Sequence, residues 1–157
     1  ITIGRQTIRD FHGKHRVLHR NFRLACEVPG EWPTFSLLPA KNFLARPIGQ
    51  WFKGPPPDVG HEAFDKRWEL SEAQVGTVVP LLSDNLVEWL AAAPKKESWA
   101  VHGGRLICHW AKTVSAEDVG TMLERLETFK AGMEQSLGAV RDAHRAHTLA
   151  PVPLGGS

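Results

Sequence analysis

The stretch Trp99–Trp110, "WAVHGGRLICHW", decides the fold. Gly103 and Gly104 separate two runs that alternate apolar with polar side chains. A two-residue hairpin turn needs positive φ at both central positions, which glycine adopts without steric cost. Pairing outward from the turn sets His102 opposite Arg105, Val101 opposite Leu106 and Trp99 opposite Cys108. Strand side chains alternate between faces, so Trp99, Val101, Leu106, Cys108 and Trp110 share one side, and Ala100, His102, Arg105, Ile107 and His109 the other. The first set is the core face of an antiparallel sheet.

Strands and helices follow on both sides of this hairpin. Phe22, Leu24, Cys26 and Val28 alternate with Arg23, Ala25 and Glu27, and Pro29-Gly30 ends the run, so residues 20–28 read as a strand. "TFSLLP" is a strand ending at Pro39, and "AFDKRWEL" (residues 63–70) is a further one with Phe64, Arg67 and Trp68 available to pack. Lys41 to Phe52 is irregular, and "KGPPPDVG" is a stiff loop. Three serines open helices. Ser71 with Gln74 forms a capping box stapled by Leu70 and Val75; Ser83 repeats the pattern with Leu82 and Val87 after Pro80 breaks the first short helix; Ser115 starts the last helix with Asp118 and with Val114 against Val119. That helix carries Val119, Met122, Leu123, Leu126, Phe129, Met133, Leu137 and Val140 on one continuous face and runs to about Ala146, roughly 45 Å. Its last turns extend beyond what a sheet of this size needs.

The expected fold is therefore α+β: an antiparallel sheet of about five to seven strands, with a broken helix and a long C-terminal amphipathic helix covering one face. Residues 1–147 form one domain and 148–157 a flexible tail. The expected core holds Phe22, Leu24, Cys26, Phe64, Trp68, Leu86, Leu90, Trp99, Val101, Leu106, Cys108, Trp110, Leu123, Leu126 and Phe129.

Composition narrows the class. With 42% hydrophobic and 23% charged residues, the 157-residue chain is neither disordered nor a membrane span. Its longest apolar run, Val87–Ala93, is short and contains Glu88. The chain opens at Ile1 inside a strand, without initiator Met or signal peptide, as a piece of something longer would. Cys26 and Cys108 fall on apolar strand faces as buried thiols, a mutual disulfide being the alternative.

The net charge of +2 is unevenly placed, since residues 5–23 hold six Lys/Arg against Asp10. In "FHGKHRVLHRNFRLACEV" (residues 11–28), His15 and His19 on one strand lie about 13 Å apart, too far for one metal ion, and His12 approaches only one of them. No metal site is expected there. Arg9, Lys14, Arg16, Arg20 and Arg23 remain as a basic surface, either a solvated face or a contact for anionic lipid. Nucleic acid is the weaker partner, because only Phe11 and Phe22 stand nearby for stacking and no recognition motif occurs. GxSxG, HExxH, P-loop and strand-following GxGxxG motifs are all absent, so neither catalytic residues nor a cofactor are expected.

"EAFDKRWELSEAQVGTVVPLLSDNLVEWLAAAPKKESWAVHGGRLICHW" and the helix after it resemble the C-terminal domain of a family of uncharacterised, often membrane-anchored bacterial proteins. The resemblance is carried by Phe64-Asp65-Lys66-Arg67-Trp68, Leu81-Leu82-Ser83, Trp89-Leu90 and Gly103-Gly104, with "RDFHGKHRV" and "LACEVPGEWPTFSLLP" upstream; the absence of tyrosine departs from it. It implies a preceding hydrophobic membrane segment and brings no activity with it. Two cysteines without a CxxC pair make a reducing compartment the default, so the expected location is a soluble domain on the cytoplasmic side, tethered to a membrane through whatever precedes Ile1. The functional expectation is a non-catalytic interaction domain with a protein partner. A module binding anionic membrane or nucleic acid through the basic hairpin is the alternative, and an enzyme of unrecognised type the third reading.

Overall fold

The computed structural model describes residues 2–12, 15–40, 58–112 and 114–149, and the side chains of residues 22–40, 58–112 and 114–148. In chain order the elements are β1 (Thr2–His12), β2 (His15–Glu27), β3 (Phe35–Pro39), α1 (Glu62–Arg67), β4 (Trp68–Glu72), α2 (Asp84–Ala91), β5 (Glu97–His102), β6 (Arg105–Trp110) and α3 (Ala116–Leu149), with a 3-10 turn at Val79–Leu81. The described strands make one six-stranded sheet, β1-β2-β6-β5-β3-β4, in which every pairing is antiparallel. This is the expected α+β class.

The sheet is organised around the glycine turn. Gly103 and Gly104 adopt φ of 57° and 71°, and β5 pairs with β6 in the register read from the sequence, from His102↔Arg105 to Glu97↔Trp110. The turn also ties in β2, because Val28 N–H donates to the Gly104 carbonyl at 2.9 Å. β2 then runs along β6 from Glu27↔Arg105 to Phe22↔Trp110.

Two helix starts hold as expected. The Ser83 hydroxyl accepts from Leu86 N at 3.4 Å, and Ser115 with Asp118 exchanges bonds of 2.9 and 3.1 Å in a reciprocal cap. The Ser71 start does not. Ser71 lies in β4, and the buried Glu72 carboxylate accepts from Gly76 N and Val78 N at 2.8 and 2.7 Å, folding residues 73–78 into a loop around itself. Val75, expected to staple, is 86% exposed. The broken helix thus reduces to the 3-10 turn and α2. The strand expected over residues 63–70 also splits. Residues 62–67 are α1, capped by His61 Nδ1 accepting from Phe64 N at 3.2 Å and by the Asp65 carboxylate accepting from Val59 N and His61 N at 3.1 Å each. The spacing of Phe64 and Trp68 is helical as well as strand-compatible, and local capping decided between the two.

The core lies between one sheet face and the helices. Trp99 stacks on Phe129 at 4.6 Å and 11°, with Trp89 tilted against both rings. The expected core residues are buried except Cys26 and Leu123, which are half-buried at its margin. Trp32, Phe35, Leu37, Leu70 and Met122 join them. α3 continues to Leu149, past the expected Ala146, and spans about 51 Å. From Ala139 to Thr148 its side chains are exposed, so its end leaves the sheet, as its length implied. Thr148 and Leu149, assigned to a tail, are helical; the rest of that tail and residues 41–57 lie outside the described residues. Among the described residues no helix is long and apolar enough to cross a membrane.

Candidate functional site

The chemistry of the molecule concentrates where β5 begins and β6 ends. Glu97 has the same parity as Trp99 and Val101, so alternation turns its carboxylate into the core, where it is 0% exposed. Its oxygens accept from Trp99 Nε1 (2.8 Å), Trp110 Nε1 (3.0 Å), Arg125 Nε (2.5 Å) and Arg125 Nη2 (2.7 Å). Arg125 in turn lies over the Trp89 ring, 4.0 Å from its centroid. A carboxylate with its lone pairs so engaged is a structural anchor and leaves little capacity to act as a base.

A second arginine stands close by. Arg67 stacks 4.1 Å from the Trp68 centroid and donates Nη2 to the Pro94 carbonyl, while its buried Nε has no hydrogen-bond partner among the described residues. Burial pushes its pKa down, and the Arg125 charge adds to that while Glu97 opposes it. Outside the core, Lys96 and Lys112 both face Trp110, with Nζ 4.9 and 5.3 Å from its ring centroid. Lys112 pairs with Asp118 at 2.9 Å, and that ammonium, with the Ser115 cap, holds the Asp118 carboxyl at about 2.

The opposite sheet face carries His109. Its Nδ1 is 3.1 Å from Ser98 Oγ, its buried Nε2 has no hydrogen-bond partner among the described residues, and burial with the neighbouring Arg23 charge lowers its pKa to about 4. It is therefore neutral at pH 7. The hydroxyl of Ser36, 2% exposed on the same face, also has no hydrogen-bond partner among the described residues. A groove of about 360 Å³ lies between α2 and α3, lined by Asn85, Trp89, Gly132, Gln135 and Ser136 among others. Its lining carries no charge, so it offers hydrogen bonds and an indole without acid–base chemistry.

Of the expected basic surface, Arg23 is exposed on β2 opposite His109 of β6. Arg9, Arg16 and Arg20 lie on β1 and β2, where the register sets Arg9 across from Leu18, Arg16 across from Phe11 and Arg20 across from Thr7. Their side chains, those of His12, His15 and His19, and Lys14 altogether lie outside the described residues. Among the described residues no group of three or more His, Cys, Asp or Glu is placed to hold a metal ion. Glu97, Arg125, Lys96 and Lys112 were missed in the sequence reading. The signal was available: an acid at core parity in β5, and lysines immediately beyond the last pair of the hairpin.

No protein-family model matches the chain, and no curated protein or solved structure is significantly similar to it.

Proposed function

We propose that this chain is a non-catalytic interaction domain serving a protein partner within a larger, membrane-associated assembly. The observation that carries the reading is the β1–β2 ribbon. β2 pairs with β6 only as far as Phe22↔Trp110, yet β1 and β2 stay paired from Arg5↔Phe22 onward to His12↔His15. A two-stranded arm thus continues beyond the sheet, and among the described residues nothing pairs with the outer edge of β1. Such an edge offers backbone N–H and C=O groups to an added strand.

The test is capture of partners by the wild-type chain beside Thr7→Pro, which removes one N–H from the middle of β1. Circular dichroism and the unfolding midpoint serve as the fold control. A partner retained by wild type and lost from a folded Thr7→Pro supports the reading. A partner set unchanged by the substitution argues against it.

The charge of the same arm favours a second reading, contact with an anionic membrane. Arg5, Arg9, Lys14, Arg16, Arg20 and Arg23 stand against Asp10 in this segment. Co-sedimentation with neutral and anionic liposomes at low and moderate salt tests it. Salt-sensitive binding to anionic vesicles, abolished by Arg16/Arg20/Arg23→Glu, is the expected result. Absence of binding at every salt concentration removes the reading.

A further inference from the structure

Trp110 is a rigid platform with two ammonium groups set on it. The residue is 3% exposed, and its Nε1 is fixed by Glu97, which Arg125 fixes in turn. Lys96 and Lys112 reach this one indole from the two strand ends, at 4.9 and 5.3 Å, and a backbone bond from Ala111 N to the Lys96 carbonyl (3.1 Å) holds those ends together. Cation–π contact restrains side chains that would otherwise be mobile, so part of the entropic cost of gathering two lysines is met before any ligand arrives. Lys112 is further restrained by Asp118, itself held in the cap of α3.

The arrangement leaves like charges in contact. Lys112 pushes the Lys96 ammonium below the ordinary lysine value, chiefly through their direct side-chain interaction. Asp118 pairs with Lys112 and partly offsets Lys96 from farther away, but Lys96 has no carboxylate within ion-pair distance among the described residues. Two ammonium groups held on one indole suit a compact oxyanion with more than one negative charge, which can accept from both at once.

We propose that Lys96 and Lys112 form a binding site for a phosphate dianion, either free in solution or as the phosphomonoester of a lipid headgroup. The site lies where the β1–β2 arm leaves the sheet, at Phe22↔Trp110, but does not rest on the interaction-domain reading. Asp118 competes with the anion for Lys112, so its neutralisation strengthens binding. Bound phosphate also restores Lys96 toward an ordinary lysine, which makes occupancy visible as an upward shift of its titration.

The experiment is a titration of the isotope-labelled chain with inorganic phosphate at pH 7.5, against chloride at matched ionic strength. The readouts are the Trp110 Nε1–H and Ala111 amide resonances. Saturable shifts with phosphate alone are expected. Lys96→Gln and Lys112→Gln should each weaken binding about tenfold, as loss of a charge-assisted hydrogen bond does. Asp118→Asn, which retains a capping side chain, should tighten it. Shifts that never saturate, shifts that chloride reproduces, or an affinity indifferent to all three substitutions would overturn the proposal. A second arm distinguishes the sources. Flotation with phosphatidic acid vesicles that free phosphate competes away assigns the site to a headgroup. Phosphate binding without flotation assigns it to the free ion.

Discussion

The guanidinium of Arg125 meets the carboxylate of Glu97 side-on, Nε to Oε2 at 2.5 Å and Nη2 to Oε1 at 2.7 Å, joining α3 to the first residue of β5. The pair is nearly dry, with Glu97 fully buried and the Arg125 side chain 15% exposed. Removing one partner strands a charge and the indole donors around it, so Glu97→Leu or Arg125→Met alone should cost about 3–5 kcal/mol. The double variant replaces the pair by apolar groups and should cost clearly less than the two singles added together. Urea unfolding of the four proteins measures the coupling, and strict additivity would contradict a shared buried pair.

The two thiols are free and differ in setting. Cys108 is buried, and desolvation raises its pKa well above the ordinary thiol value, with Glu97 adding to the effect. Cys26 is half-buried and raised chiefly by burial, with Lys130 opposing. Thiolate is the reactive form, so the native protein should react slowly with a thiol reagent at pH 7.5, at Cys26 first. Cys108 should react only on unfolding, when two thiols per chain are released without added reductant. Release of none would reveal the disulfide that the sequence left open.

His109 supplies a pH dependence of known sign. Its folded pKa of about 4 lies below the ordinary value of 6.5, chiefly through burial and then through Arg23. Above 6.5 neither the folded nor the unfolded histidine is protonated, and the stabilising contribution is fully present. As pH falls from 6.5 towards 4, the unfolded chain takes up a proton that the folded chain refuses, and stability declines. Allowing for the ring's partial contact with solvent, the loss is about 2 kcal/mol. Unfolding free energies at pH 7.5, 5.5 and 4.5 should therefore fall more steeply for the wild type than for His109→Gln. Parallel curves would place the acid sensitivity elsewhere.

The hairpin shows how far a sequence can be read. Gly103-Gly104 fixes its own dihedrals, the dihedrals fix the register, and alternation then fixes the faces from Glu97 to Trp110. Each inference needs only neighbouring residues. The failures fall where two local patterns compete and a distant partner chooses. Ser71-Glu72-Ala73-Gln74 has the grammar of a helix start, yet β3 claims Ser71 as a strand residue through Ser36↔Ser71, and Glu72 is drawn inward to cap a loop. Phe64 to Trp68 fits either period until His61 and Asp65 close the first turn of α1. The Glu97 anchor was hidden for another reason. Its partner lies on α3, and a helix face read as purely apolar gave no place to Arg125 beside Met122 and Leu126.

The seat of α2 on α3 is set by Gly132. A Cβ built there would lie 3.2 Å from Leu86 Cδ1 and 3.6 Å from Cδ2, so the two helices approach as closely as a bare backbone allows. Two effects oppose each other in Gly132→Ala. Alanine favours the helix by roughly 1 kcal/mol, while displacing the buried Leu86 from its rotamer costs about the same. The net change should therefore stay within about 1 kcal/mol. Gly132→Val adds methyl groups that Leu86 cannot evade and a β-branched side chain, and should destabilise by about 2 kcal/mol or more. Leu86→Ala opens space at the same point, so Gly132→Val combined with Leu86→Ala should cost less than the sum of the separate changes. Denaturant midpoints of the four variants decide it. A valine tolerated as well as alanine, with no coupling to position 86, would mean that α2 does not rest on α3 at this glycine.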